Sequence, residues 1–414
     1  MKISRLSALE ILDSRGRPTV RAFIELEDGS RHSASVPSGA STGSHEAVER
    51  RDNNPSHYLS QGVQNAVHSI ETELNDLLKN KEVSDIQSID EEMIQADGTE
   101  NKSRLGANAL LAVSLAAVRA ASYAEKKPVW QFIHDSLMPD STPRFPRCMT
   151  NVVNGGKHAS WNFDIQEFMV VPMSETPSMF VEVASTIFHT LGAHLKKLGC
   201  STLVGDEGGF SPALSSNEEV FQVLIASAKE AGYENGVDYQ LAIDAAASEF
   251  YEQGAYLFKK EQKTLSGEEL IEFYLALQKK YALFSFEDPF QEDDWEHFQK
   301  FTEKVNDLDC LVVGDDLFVT NAKRIQVGID KKAANTVLIK VNQIGTLSET
   351  IEAIRLARSA NWDVIISHRS GETEDSFIAD LAYGVGADFI KTGSMSRSER
   401  LAKYNRLLEI EKGY

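Results

Sequence analysis

Three cysteines in 414 residues, Cys148, Cys200 and Cys310, are too few and too widely spaced for a disulfide framework or a cysteine metal motif. A reducing compartment is their simplest setting. Positive charge is also scarce: 42 lysines and arginines face 62 acids, giving a formal charge of −20. That balance argues against nonspecific nucleic-acid binding and favours solubility, but it carries no information about fold. Long apolar runs are missing too. The longest, Ala109 to Val118, is interrupted by Ser114 and is too short to span a bilayer, so it is expected to be a buried helix. The opening MKISRLSALEILDSRG has charges throughout and no apolar centre. It does not resemble a secretory signal, and a cytoplasmic location is expected.

What the chain does have is a recurring strand end. Leu311-Val312-Val313 stops at Gly314-Asp315-Asp316, and Thr336-Val337-Leu338-Ile339 stops at Lys340. The same pattern gives Leu241-Ala242-Ile243 before Asp244, Phe284-Ser285-Phe286 before Glu287, Val364-Ile365-Ile366 before Ser367-His368-Arg369, and Asp388-Phe389-Ile390 before Lys391. These runs are apolar on both faces, as buried parallel strands are. The charged ends Asp244, Glu287, Asp315, Lys340, His368 and Lys391 follow one another at intervals of 43, 28, 25, 28 and 23 positions. About 25 residues suits one strand, one helix and short connections. The spacing therefore predicts a parallel α/β barrel with these groups around its C-terminal mouth, where barrel active sites are built.

Two domains are expected. Residues 1–135 form an α+β cap: an antiparallel meander to about residue 35, a mobile Ser/Gly loop at 37–44, then mostly helix from 45. Composition leaves that loop as either a linker or a lid. Prolines at 139, 143 and 146 mark the boundary, and residues 140–414 form the barrel domain. Its first part adds Asn151 to His158, a glycine-rich loop; Gln166-Glu167, opening a strand; and Gly205-Asp206-Glu207-Gly208-Gly209, whose glycines let backbone approach a ligand closely. A lone histidine such as His158 is more often structural than catalytic.

Asp244, Glu287 and Asp315 are hard oxygen donors with no cysteine beside them, which suits magnesium or manganese. Lys340 is the next strand end. Divalent cations and other lysines near it would favour its neutral form, so that it could act as a base. Glu207 would be the opposing acid, and Arg369-Ser370 would hold a phosphate. The kit fits proton abstraction beside a carboxylate followed by loss of a β-leaving group.

DSRGRPTV at 13–20, VPSGASTG at 36–43, NVVNGGKHA at 151–159, GDEGGF at 205–210, FEDPF at 286–290, GDDLFVTN at 314–321, LIKVNQIGT at 338–346, SHRSGETED at 367–375 and RSERLAKYN at 397–405 together resemble the enolase (phosphopyruvate hydratase) family along essentially the whole chain. The resemblance implies an N-terminal α+β cap on a modified TIM-like eight-stranded barrel. It also implies magnesium-dependent, reversible dehydration of 2-phosphoglycerate to phosphoenolpyruvate through an enediolate. By that likeness Lys340 removes the C2 proton and Glu207 protonates the leaving hydroxyl. Asp244, Glu287 and Asp315 hold the first of two magnesium ions, and Ser41 helps hold the second. Arg369 and Ser370 take the phosphate, with His158, Glu167, His368 and Lys391 completing the pocket. A homodimer or higher homo-oligomer is implied, with no direct nucleic acid, no membrane span and, by family analogy, a secondary surface or secreted pool.

The chain departs from the family pattern in places. Arg21 and Glu409 carry reversed signs at positions that pair across the family's dimer interface, and Leu9 replaces an arginine, so a contact to Glu399 is lost. Trp161 is bulky beside His158, and Ser394-Met395-Ser396 replaces an Ala-Pro run. Two other readings stay open: a paralogue acting on a related phospho- or phosphono-carboxylate, and an inactive scaffold used for binding.

Overall fold

The computed structural model describes residues 1–39, 43–159 and 161–414. Alternation near the N-terminus produces the expected meander. Strands β1 (Ile3–Leu12), β2 (Pro18–Leu26) and β3 (Arg31–Ser35) pair antiparallel in that order. Ile3, Leu6, Val20, Ala22, Ile24 and Ala34 are buried. The helix Ala107–Ala124 packs against β2 and β3. By length and composition it could cross a membrane, but 83% of it is buried inside the protein. Its many alanines let it lie close to the sheet, so its apolar character belongs to a core.

Residues 45–135 are mostly helical as expected, except for the first part, to residue 63. Apart from a short turn at Tyr58–Ser60, the chain has no helix until Gln64–Ser69. Asn53-Asn54-Pro55 removes a donor and favours turns. Asn53, Tyr58, Leu59 and Ser60 all take positive φ. Asp52 ends the irregular run by accepting the backbone N–H groups of Gln64 and Asn65 at 2.9 and 2.8 Å.

The barrel strands are β4 (Arg147–Asn154), β5 (Glu167–Pro172) and β6 (Tyr239–Asp244). A separate three-stranded antiparallel sheet follows: β7 (Tyr251–Glu252), β8 (Ala255–Phe258) and β9 (Lys263–Leu265). It occupies the long interval between Asp244 and Glu287. Then come β10 (Leu283–Glu287), β11 (Leu311–Gly314), β12 (Thr336–Ile339), β13 (Asp363–Ser367) and β14 (Phe389–Lys391). The barrel closes in the order β10-β11-β12-β13-β14-β4-β5-β6.

The six strands read from the sequence, β6 and β10 to β14, pair in parallel as expected, and the modification of the barrel lies in β5. This strand runs antiparallel to both β4 and β6. Among the described residues of 155–166, which join β4 to β5, there is one short helical turn, Gly156–Ala159, and no crossover helix, and so short a connection returns the chain in the opposite direction. Two helices, Pro177–Lys197 and Asn217–Glu230, lie between β5 and β6. Met149, Met169, Phe284, Leu338, Ile365 and Phe389 are among the side chains filling the barrel interior. With the interior apolar and packed, charged strand ends collect at the mouth.

Arg21 pairs with Glu374 and donates to the Ser35 hydroxyl at 2.7 Å, while Glu409 accepts from Arg406 at 2.9 Å. Each of the two reversed charges therefore has a partner within the chain.

Candidate active site

The mouth is reached from two directions. Asp244, Glu287 and Lys391 end β6, β10 and β14, while Asp315, Lys340 and His368 stand one residue beyond β11, β12 and β13. Glu167 comes from the start of β5. Because β5 is inverted, its first residue lies level with Asp244, its partner in the ladder. Glu207 comes from the loop between the two helices that follow β5. Phe210 anchors that loop to β4: its N–H donates to Val152 O at 2.9 Å and its carbonyl accepts from Asn154 N at 2.8 Å.

Together Gln166, Glu167, Glu207, Asp244, Lys340, Ser367, His368, Arg369, Ser370 and Lys391 line a tight cavity of about 20 Å³. A wider cleft among Met138, Arg144, Arg355 and Arg358 lies at the other end of the barrel, where Arg144 and Arg358 pair with Asp388 ahead of β14. It holds none of these acids.

Within the cavity the charges interlock. Lys391 Nζ donates to Asp244 Oδ2 at 3.0 Å and to both Glu287 oxygens at 2.9 and 2.8 Å, and it pairs with Glu167 at 3.2 Å. Burial opposes the charge on Lys391, but Asp244, Glu167 and Glu287 override it and hold the group well above the ordinary lysine value. One lysine does not balance three carboxylates. Burial, with Asp244 next to it, pushes Glu287 well above the carboxylate range, and burial with Glu207 does the same to Glu167.

Next along the barrel, Asp315 ion-pairs with Lys340 and accepts from Gln343 Nε2 at 2.9 Å. Thr320 Oγ1 holds Lys340 by accepting its backbone N–H at 2.9 Å. Carboxylate oxygens of Asp288, Asp315 and Asp316 lie within 4.8 Å of one another. Asp288 accepts the backbone N–H groups of Asp315 and Asp316 at 2.9 and 2.7 Å, so it shapes the turn that presents Asp315.

The neutral lysine expected from sequence supposes divalent cations beside it; among the protein's own groups the balance is different. Burial does oppose the charge on Lys340, but the adjacent Asp315 carboxylate outweighs burial and holds the lysine protonated, above its usual value. Its nearest charge is an acid, not another cation.

At the rim, Arg369 makes a bidentate pair with Glu46, at 2.9 and 3.0 Å, and donates to Asn342 Oδ1 at 2.8 Å. Ser370 is buried beside it. Asn151 Nδ2 donates to Glu207 Oε2 at 3.0 Å, and His368 Nε2 stands 3.7 Å from Glu207 Oε1. Burial, more than any neighbouring charge, pushes the His368 imidazole well below its ordinary value. Ser41 lies outside the described residues, and so does the side chain of His158, whose backbone sits in the turn Gly156–Ala159.

Of the sequence-nominated residues, the structure thus brings together Glu167, Glu207, Asp244, Glu287, Asp315, Lys340, His368, Arg369, Ser370 and Lys391. Glu46, Asn151, Gln343 and Arg400 were missed. Each lies in or beside a stretch already singled out, but none ends a strand, so the periodic signal passed over them. The Ser394 to Ser396 departure sits behind the acid loop: Ser394 N donates to Glu207 O at 3.0 Å, and Ser396 Oγ to Gly208 O at 2.7 Å. Trp161 takes a φ of 61° and is partly exposed.

The donor set suits a hard divalent cation. Asp244, Glu287 and Asp315 offer only oxygen, and the upward push on Glu287, Asp288 and Asp316 shows a cluster short of positive charge.

Comparison with protein-family models agrees with this architecture on both sides of the chain. Residues 3–133 match the model described as Enolase, N-terminal domain, and residues 143–414 match Enolase, C-terminal TIM barrel domain. A buried acid–lysine mouth on such a barrel, under such a cap, identifies the chain as a member of the enolase family, and so as a hydro-lyase.

Proposed function

We propose that this chain catalyses the magnesium-dependent, reversible dehydration of 2-phosphoglycerate to phosphoenolpyruvate. The observation that carries the reading is the shared cavity of Lys340 and Glu207. One follows β12, the other is tied to β4, and β12 and β4 stand three strands apart around an eight-stranded barrel. A base and an acid held on different parts of the wall can act on neighbouring carbons of one small substrate.

Lys340 Nζ, in its neutral form, takes the proton from C2. Glu207, protonated, gives its proton to the C3 hydroxyl, which leaves as water while the C2–C3 double bond forms. Lys340 then returns its proton to solvent and Glu207 regains one. Neutral Lys340 requires that the Asp315 charge be engaged elsewhere, since their ion pair holds the lysine protonated. Asp244, Glu287 and Asp315, with Ser41, are the residues that would hold magnesium, which supplies positive charge where the substrate carboxylate gains negative charge as C2 loses its proton. Arg369 and Ser370 would bind the phosphate, with Arg369 exchanging part of its bidentate contact with Glu46 for phosphate oxygens.

The test is the rise in ultraviolet absorbance of phosphoenolpyruvate when the protein meets 2-phosphoglycerate and magnesium. A fast, magnesium-dependent rise is expected. Folded, magnesium-supplied protein that gives no rise would overturn the assignment of substrate.

A further inference from the structure

We propose that Arg400 is a positioning residue that fixes the tautomer of His368 and thereby keeps a neutral imidazole N–H facing Glu207. The inference rests on the function proposed above for the meaning of Glu207, but not for its geometry.

Arg400 is the third residue of the helix Ser398–Glu411, outside the barrel wall, and it is fully buried. Its guanidinium enters behind the loop that follows β13. Nη1 contacts His368 Nδ1 at 2.7 Å and donates to Arg369 O at 2.5 Å. Nη2 donates to Asp206 O at 3.1 Å and Ser370 O at 2.6 Å. The two terminal nitrogens carry four protons, and four acceptors meet them. Nε faces Glu399 Oε1 at 3.6 Å. A guanidinium has no lone pair to offer and does not deprotonate in proteins. Nδ1 of His368 must therefore be the acceptor, and the ring's single proton belongs on Nε2.

An imidazolium would set N–H against N–H at 2.7 Å, so Arg400 also denies His368 its charge. The remaining charged groups around the ring divide. Glu207, on the acid loop, favours the charged form; Lys391 from β14 and Lys403 from the same helix as Arg400 oppose it, as burial does.

This matters for the neighbouring acid. His368 Nε2 stands 3.7 Å from Glu207 Oε1, while Asn151 takes the other oxygen. A cationic imidazole there would hold Glu207 as a carboxylate and withhold the proton the reaction needs. The other tautomer would turn a lone pair toward Glu207, which would accept the acid's proton in place of the substrate hydroxyl. By fixing Nε2–H, Arg400 gives the acid a neutral neighbour. The same guanidinium joins the Glu207 loop, through Asp206 O, to the Arg369–Ser370 loop, so it sets acid and anion ligands relative to each other. A lysine could not span these four acceptors, because its donors share one nitrogen.

The first test needs no variant. In protein labelled with ¹⁵N-histidine, the His368 signals, assigned by their loss in His368→Asn, should be those of a neutral ring protonated at Nε2 from about pH 5.5 to 8. A ring protonated at Nδ1, or one that titrates to imidazolium in this range, overturns the proposal. If the expected tautomer appears while 2-phosphoglycerate is not dehydrated, the function reading fails and the positioning role stands. The second test is Arg400→Lys. His368 should begin to titrate in that pH window, and dehydration should slow by about tenfold or more while exchange of the C2 proton, the work of Lys340, changes by less than about threefold. Equal losses in both steps, with the His368 signals unmoved, would show a merely structural arginine.

Discussion

Asp90 offers a quantitative test of how cap and barrel are joined. It sits on the cap helix Ile86–Asp97 and is fully buried. Its Oδ2 accepts the Ser348 backbone N–H at 2.9 Å and the Ser348 hydroxyl at 2.7 Å, in the first turn of the barrel helix Leu347–Ser359. Oδ1 is buried with the Ser114 hydroxyl beside it. Burial outweighs the Ser348 bonds and raises the carboxyl from 3.8 to about 6. The folded protein therefore holds this proton more tightly than the unfolded chain does. The stability it contributes is complete below about pH 4 and is lost as pH rises through about 6. A shift of about two pKa units corresponds to about 3 kcal/mol. In Asp90→Asn the amide oxygen can still accept from Ser348, but only the Ser114 hydroxyl stands near the amide N–H groups, so at least one lacks a partner, at a cost of about 1–3 kcal/mol. The variant should be the less stable protein at pH 4. By pH 7 it should match or exceed the wild type, because it is spared the charge. Urea midpoints followed by tryptophan fluorescence across this range measure the difference. A stability difference between the two proteins that stays flat from pH 4 to 7 would refute the reasoning.

Three further outcomes are expected. Lys340→Ala should abolish exchange of the C2 proton, whereas Glu207→Gln should block dehydration and leave some exchange; isotope exchange monitored by NMR separates the two, and wild-type exchange in the Lys340 variant would rule it out as the base. Chelation of divalent ions should eliminate turnover and added magnesium should restore it, given the three oxygen donors at the strand ends; activity that survives chelation would contradict a metal role for Asp244, Glu287 and Asp315. Gly371→Ala should lower stability by about 1–3 kcal/mol. Its Cβ would meet Arg15 Nη2 and Asp13 Oδ2 at 2.4 Å and Ser38 O at 2.7 Å, disturbing the paired bonds between Ser38 and Gly371 that hold one end of the 37–44 loop against the Ser370 backbone. An unchanged urea midpoint would show that these neighbours give way freely.

The mouth of the barrel was legible in sequence because the chemistry repeats there. Each apolar run ends in a charge that needs partners, and the spacing of a strand and a helix brings those ends to one place. The parallel run of β6 and β10 to β14 was legible too, but the direction of β5 was not. β5 is buried on both faces like its neighbours, and a continuous apolar run reads the same either way. Only the lack of a helix between Asn154 and Glu167 hinted at its reversal. Composition misled at 45–63, where Asn53 to Pro55 and four positive φ angles overrode the polar, helix-like pattern. The ion pair of Lys340 with Asp315 was not legible either, since 25 positions separate two residues that touch. Arg400 stayed hidden for a related reason: three of its four acceptors are backbone carbonyls, which sequence does not mark.

The inverted strand has a consequence for how this site can vary. β5 descends from the mouth, and β6 must begin again at the base, beside the end of β5. The two helices between them therefore carry the chain up to the mouth and back, and the crest of that excursion is the loop holding Glu207. Every other charged group in the cavity is fixed to a strand or to the residues just past one, so its height is tied to the ladder. The acid alone rides on a detour, and its height is set by the Phe210 bonds to β4 three residues further on. Change in the loop ahead of Phe210 touches no bond between barrel strands, whereas loss of the Phe210 bonds to β4 would free the acid to move while the proton-abstracting wall stays as it is.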